Sequence, residues 1–397
     1  MDPHAAMNAD AGRDLDVVMT VSSRSNFQSL FSAWKPVLQD HHLIVVLETD
    51  DAMDEEEQDE QQKVLQNLLL LHELNSEVVT KRDAEKFLEA LATKSSKRHS
   101  ITLSSLLLNP FVGSACRSFG FLVSKARYVV SFLEDVVPAK DLGSGELLDA
   151  VEQHLANLRS KATPYYFNTL YDPHRADSVG FVRGYPFSLR LGVTTVMSHG
   201  LSLGLPDYDA PTAIVKPHER TQRYVDAVVT IPKGSLFPLS GSNVAFDRRL
   251  IGPCMLLRLG IGGQDSLFSG SSSSTSVDDV WAGLCAKVVA DHLGFGVKTG
   301  VPYVWRGPDS SFSSNGAVAG ALASLKTEFK PLLLLEDVVP FFQTLRLSKN
   351  ATNAEDCYAE IARMVKGKLR GLDPSFERVA AVMETWADAW KAINSAV

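Results

Sequence analysis

Cysteine is scarce, no apolar run is long, and positive charge is in the minority in this chain of 397 residues. The four cysteines, Cys116, Cys254, Cys285 and Cys357, contain no Cys-x-x-Cys pair. That pattern supplies neither a disulfide framework nor a redox motif and reads as reduced thiols of a cytosolic protein, with Cys116 and Cys285 as small core residues. The longest apolar runs, such as Leu68 to Leu71, fall far short of the ~20 residues a bilayer requires. No integral membrane segment is expected, and any membrane association is peripheral. The opening MDPHAAMNADAGRDLD is acidic and lacks the apolar stretch of a secretory signal. A formal charge of −8 argues against nucleic acid as a partner. Asn350-Ala-Thr matches a glycosylation acceptor by chance, because a chain outside the secretory lumen has no use for it. Internal repeats and a proline-rich linker are also missing.

An apolar content of 45% and a charged content of 22% are those of an ordinary globular protein. Residues 1–14 read as a disordered extension. Leu15 to Val21 (LDVVMTV) reads as a β-branched strand. Asn26 to Leu38 carries Phe27, Leu30, Phe31 and Trp34 at helical spacing and is expected to stop near Pro36. Leu43 to Leu47 (LIVVL) has the unbroken apolar character of a buried parallel strand. Strand, helix, strand in this order predicts a right-handed βαβ unit, a start common to nucleotide-binding α/β folds that says little about the ligand. The carboxylates between Asp50 and Glu60 read as a solvated loop or helix end. Lys81 to Ala92 reads as an amphipathic helix, and YVVSFL (Tyr128 to Leu133) and YYFNTL (Tyr165 to Leu170) as strands. Ser269 to Ser276 reads as a flexible insertion. From about Ala354 the apolar residues recur at 3.6 spacing: Tyr358, Ile361, Met364 and Val365, then Val379, Val382, Met383, Trp386 and Trp390. The expected organisation is an α/β domain over 15–350 and a helical C-terminal segment over 351–397.

The most informative stretch is FVRGYPFSLR, Phe181 to Arg190. Pro186 fixes its own φ and restricts Tyr185, and Gly184 permits a bend, so a rigid loop should hold Arg183 and Arg190 in place. Forked guanidinium donors suit a diphosphate; surface ion pairing is the plainer alternative. Further motifs follow in order: NTLYDP (168–173) and SHG (198–200) around this stretch, then PDYDAPT (206–212), RYVDAVVTIPKG (223–234), NVAFDR (243–248), DDVWAG (278–283) and HLGFGVKTGVPYVWR (292–306). Together they resemble the plant reversibly glycosylated polypeptides, the UDP-arabinopyranose mutases of glycosyltransferase family 75. The resemblance runs from about Leu15 to Trp390 and is densest between Thr163 and Arg306.

That resemblance implies an α/β fold of the GT-A-like, nucleotide-sugar-binding kind with a helical C-terminal subdomain. It implies interconversion of UDP-arabinopyranose and UDP-arabinofuranose for cell-wall polysaccharides, with reversible self-glycosylation on arginine. The implied partners are UDP-sugars, a divalent Mn²⁺ or Mg²⁺, and further family subunits in homo- or hetero-oligomers, in the cytoplasm and partly on the cytosolic face of the Golgi. Arg183 matches the sugar-accepting arginine, and Arg190 a phosphate clamp or loop anchor. Asp279, with Asp278 beside it, matches an acidic group facing the sugar. A helix cap is the alternative for that pair. Glu48 and Asp50 match the acidic turn at the nucleotide, which here lacks its glycine. Lys298 either meets phosphate or shapes a turn. His199 and His292 are structural histidines or late metal ligands. The family's aspartate triplet corresponds to Leu133, Glu134 and Asp135, so Glu134 and Asp135 are either a weakened metal site or plain polar residues at a strand end. The second alternative makes the chain a catalytically impaired subunit or scaffold beside active relatives.

Overall fold

The computed structural model describes residues 14–22, 26–49, 54–92, 103–104, 107–108, 111–141, 143–172, 180–259, 277–307 and 317–394. Residues 1–13, Asp50 and the serine run 269–276 lie outside the described residues.

The chain opens with β1 (Leu15–Val21), α1 (Phe27–Leu38) and β2 (His42–Leu47), the expected βαβ unit. α1 continues through Pro36 to Leu38 instead of stopping there. Pro36 donates no N–H to the Ser32 carbonyl, and burial of Val37 and Leu38 offsets that loss. α2 (Glu55–Leu71) starts on Asp54, whose side chain accepts from Glu57 N and whose backbone N donates to the Glu57 side chain. The acidic run is thus a helix start, with Glu55, Glu56 and Glu57 in its first turn. β3 (Ser76–Val79), α3 (Lys81–Ala92), α4 (Ser114–Val123), β4 (Tyr128–Phe132), β5 (Val137–Pro138) and α5 (Ala150–Arg159) follow. Next come β6 (Thr195–Gly204), α6 (Ala210–Val215), β7 (Val228–Thr230), β8 (Asn243–Asp247), α7 (Arg248–Ile251), α8 (Val277–Leu293) and β9 (Gly296–Arg306). α9 (Ala317–Thr344), α10 (Ala354–Lys368) and α11 (Phe376–Asn394) complete the helical C-terminal region.

The strands form one sheet in the order β3-β2-β1-β4-β8-β6-β9-β5, with β7 also paired to β9. β1 is parallel to β2 and β4, β2 to β3, and β6 to β9, whereas β8 is antiparallel to both β4 and β6. β1, β2, β3, β4, β6 and β9 therefore all end at one edge of the sheet. Alternation along the strands divides the core between two faces. Val18, Ile44, Val46 and Val129 face α4, α8 and the C-terminal helices; Val17, Met19, Val45 and Val130 face α1 and α5. The last helices are held by more than apolar area: Trp386 Nε1 donates to Pro253 O at 3.0 Å, and Arg248 lies over the Trp390 ring.

Tyr165 to Leu170 is not a strand. Asn168 draws the chain into turns, its Oδ1 accepting from Leu170 N and Val182 N and its carbonyl from Tyr171 N. The aromatics at 165, 166 and 167 stay exposed.

Candidate active site

In open α/β sheets, ligands bind beyond the carboxyl ends of the strands where the strand order reverses. Here the reversal falls at β1, flanked by β2 and β4. Ser22 follows β1, and its backbone N and its Oγ donate to Glu134 Oε2 and Oε1 at 2.8 and 3.1 Å. Glu134 belongs to the link Leu133–Val136, which leaves β4 and crosses the edge so that β5 pairs with the end of β9, Val137 opposite Trp305. Leu133 N donating to Ser242 O and Trp34 Nε1 donating to Val136 O pin that link.

Glu48 lies just past β2. Its Oε1 accepts from Gly113 N at 2.7 Å, at the start of α4. Burial pushes its carboxyl up to about 7, with the nearby Glu134 charge adding, against the Gly113 hydrogen bond and Arg117. Beside it, between α2 and α3, a polar cleft of ≈ 300 Å³ is lined by Glu48, Thr49, Gln58, Asp59, Lys81 and Arg82.

Asp135 and Asp207 share one cation. Arg306, the last residue of β9, places Nε 3.1 Å from Asp135 Oδ2 and Nη1 2.7 Å from Asp207 Oδ1. Gly204, at φ +83°, makes this possible: a Cβ there would come within 2.2 Å of Arg306 O. Burial works against the Arg306 charge, but the two carboxylates outweigh it and raise its pKa. Desolvation favours the neutral form of Asp207, yet Arg306 and the Ser240 hydroxyl hold that carboxyl below its ordinary range. Nearby, burial drives His199 down to about 4, so it is neutral, and its Nδ1 meets Thr299 Oγ1 at 3.0 Å.

The fit to a divalent cation is poor. Octahedral sites need several oxygens free to converge. Leu133 offers none, both Glu134 oxygens accept from Ser22, and the Asp135 and Asp207 carboxylates are paired to Arg306. Among the described residues no group of three or more His, Cys, Asp or Glu is placed to hold a metal ion.

The edge thus brings together Glu48, Glu134 and Asp135. The other expected residues lie elsewhere. Asp279, in the first turn of α8, is buried against Arg117 of α4, which donates from Nη2 to both its oxygens at 2.7 and 2.9 Å; Gly241 N adds a third bond at 3.0 Å. Burial raises its carboxyl despite Arg117. Lys298, near the start of β9, donates from Nζ to Ser160 Oγ at 2.6 Å and Asn157 O at 3.3 Å, where it closes the C-terminal turn of α5. β9 is 11 residues long, so about 30 Å separates its ends. Arg190 stacks over Phe187 and Phe181 at 4.0 and 5.3 Å and donates from Nη2 to Tyr185 O. Arg183 is exposed beside Gly184, itself at φ +89°. Their loop is tethered at the amino ends of β6 and β9: Val193 bridges Ala162, Thr163 N donates to Thr230 Oγ1, and Lys233 N to Pro164 O. His292 Nε2 meets Ala351 O and does not reach the site. Asp209 caps α6. Sequence reasoning missed Ser22, Arg117, Ser240 and Arg306. Only Arg306 left a trace, as a cation closing VPYVWR at a strand end.

Fold and edge together define a mixed α/β protein whose candidate site lies beyond the carboxyl ends of the strands of one sheet. The chain belongs to the reversibly glycosylated polypeptide family, whose model matches residues 11–395. It is 42% identical over 381 residues to UDP-arabinopyranose mutase 1 of Arabidopsis thaliana, covering 96% of this chain and 93% of that one. It is 43% identical over 382 residues to a probable UDP-arabinopyranose mutase 1 of Pisum sativum, covering 96% and 92%. Among solved structures it is similar to the mannosyltransferase PcManGT from Pyrobaculum calidifontis in complex with GDP-Man and Mn²⁺, at 11% identity and a TM-score of 0.34, covering 97% of this chain and 88% of that one.

Proposed function

We propose that this protein is a UDP-L-arabinose mutase that interconverts the pyranose and furanose ring forms and supplies furanose donor for cell-wall polysaccharide. The observation that carries the reading is the extent of likeness to relatives bearing that name, 42% identity across 96% of the chain. The edge has suitable parts. The exchange replaces a C1–O5 bond by a C1–O4 bond and moves one proton from O4 to O5, with UDP conserved overall. Glu48, held near neutrality by burial, is suited to give and take a proton at physiological pH. The UDP moiety lies across the β1 reversal, with its diphosphate toward Arg306.

Reversible self-glycosylation on Arg183 belongs to the same proposal. Arg183 is exposed on a loop tied to the opposite edge, so the sugar passes between copies of the chain. We place the protein in the cytoplasm, with part of it peripheral on the Golgi; among the described residues no helix is long and apolar enough to cross a membrane. A second reading follows from the altered triplet: the chain is a non-catalytic subunit in hetero-oligomers with active relatives. Incubation of purified protein with UDP-arabinofuranose, with ring form followed by chromatography, decides between them. Turnover by this chain alone, reduced at least 100-fold in Glu48→Gln, supports the mutase. Turnover absent alone and with Mn²⁺, beside co-purification with an active relative, supports the subunit.

A further inference from the structure

The acidic edge has a resident cation where a bound metal would otherwise be needed. Asp135 and Asp207 come from different strands, β4 by way of its crossing link and β6, and converge on the guanidinium of Arg306. The Arg306 side chain is 7% exposed, far too buried to be an incidental surface partner. Nη1 donates to Asp207 Oδ1, and Nε faces Asp135 Oδ2 as an ion pair with no hydrogen bond formed. Nη2 is buried as well and has no acceptor among the described residues. A buried guanidinium nitrogen with no acceptor is costly to desolvate, and a ligand oxygen would offset that cost. Its fork matches a phosphate oxygen as well as a carboxylate.

We infer that Arg306 stands in for the divalent cation: it neutralises Asp135 and Asp207 and donates from Nη2 to the diphosphate of a UDP-sugar, so that nucleotide binding here needs no metal. The inference rests on the nucleotide-sugar reading above for its ligand, but its cation-excluding half stands without it. The planar fork balances two carboxylates and still leaves a directed donor for a third group. Glu134, next to Asp135, accepts at both oxygens from Ser22 instead.

Two measurements on the full chain test this. In the first, UDP is titrated calorimetrically in Mn²⁺, in Mg²⁺ and in EDTA. The dissociation constant should agree within twofold across the three, and Arg306→Ala should weaken it at least tenfold in EDTA. A tenfold loss of affinity in the unaltered protein on adding EDTA would overturn the inference. In the second, Mn²⁺ alone is followed by electron paramagnetic resonance, which needs no nucleotide. The unaltered protein should leave Mn²⁺ free, Arg306→Ala should take up one equivalent, and Arg306→Ala with Asp135→Asn should lose it again. Mn²⁺ uptake by the unaltered protein that vanishes in Asp135→Asn overturns the inference, as does an Arg306→Ala protein that gains no uptake. Arg306→Gln, closer in volume, replaces the alanine variant if circular dichroism shows that variant unfolded. Absence of UDP binding in all three buffers sinks the nucleotide-sugar reading, while the Mn²⁺ result still decides whether Arg306 excludes a cation.

Discussion

At the scale of single residues, two buried ionisable groups give opposite pH signatures. Glu48 is shifted up from 4.5 to about 7. Between those values the folded chain keeps a proton that the unfolded chain has lost, so the stability this group contributes is complete below pH 4.5 and disappears as pH rises through 7. The effect is bounded at roughly 3 kcal/mol. Urea unfolding at pH 5 and pH 8 should show it, and Glu48→Gln should flatten the difference. Lys298 is shifted down from 10.5 to about 8, by burial. There the unfolded state holds the extra proton, so stability rises between pH 8 and 10.5. Because the Lys298 ammonium serves the end of α5, Lys298→Met should leave UDP affinity within twofold as measured by calorimetry. A larger loss would return Lys298 to the phosphate.

At the scale of elements, the joint between α4, α8 and the start of β8 is an ion pair. Arg117 and Asp279 are both about 4% exposed as side chains, and Arg117 Nη1 also donates to Gly241 O. Removing one partner leaves the other charged and dry, so Arg117→Met should cost about 3–5 kcal/mol in urea unfolding, and adding Asp279→Leu should recover much of that. α4 meets the sheet at Gly120, where a Cβ would lie 2.5 Å from Val18 Cγ1. Gly120→Ala should cost about 1–3 kcal/mol by overpacking, read in the same assay. Elements were legible where periodicity is strong. LDVVMTV, LIVVL and the stripe ending in Trp390 announce their burial directly. YYFNTL misleads because aromatic composition imitates a strand, while the deciding contact is Asn168 reaching across to Val182.

At the scale of the whole molecule, sequence named the acidic half of the edge and not its counter-charge. Glu48, Glu134 and Asp135 sit at strand ends that local patterning reveals. Their grouping with Asp207 and Arg306 depends on β4 crossing to β5 and on β6 lying beside β9, pairings between distant segments that no local pattern encodes. Arg183 and Arg190 stood out because their loop is unusual, and an unusual loop signals constraint without saying which side of the sheet it occupies. Its placement leads to a test of transfer between copies. Asp135→Asn and Arg183→Ala proteins should each fail to become labelled from UDP-[¹⁴C]glucose alone, and label should appear on the Asp135→Asn chain when the two are mixed. Label on Asp135→Asn protein alone would show that this carboxylate is dispensable.

The sheet ends in very short pieces: β3 has four residues on one side, and β5 and β7 have two and three on the other. Such stubs, one of them containing Pro138, expose too few unpaired amides to recruit a strand from a neighbour. Among the described residues, side chains offer an associating copy more than these edges do. The partly exposed rings of Tyr165, Tyr166 and Phe167 and the projecting Phe187 and Leu191 are where contact would spare apolar area from water.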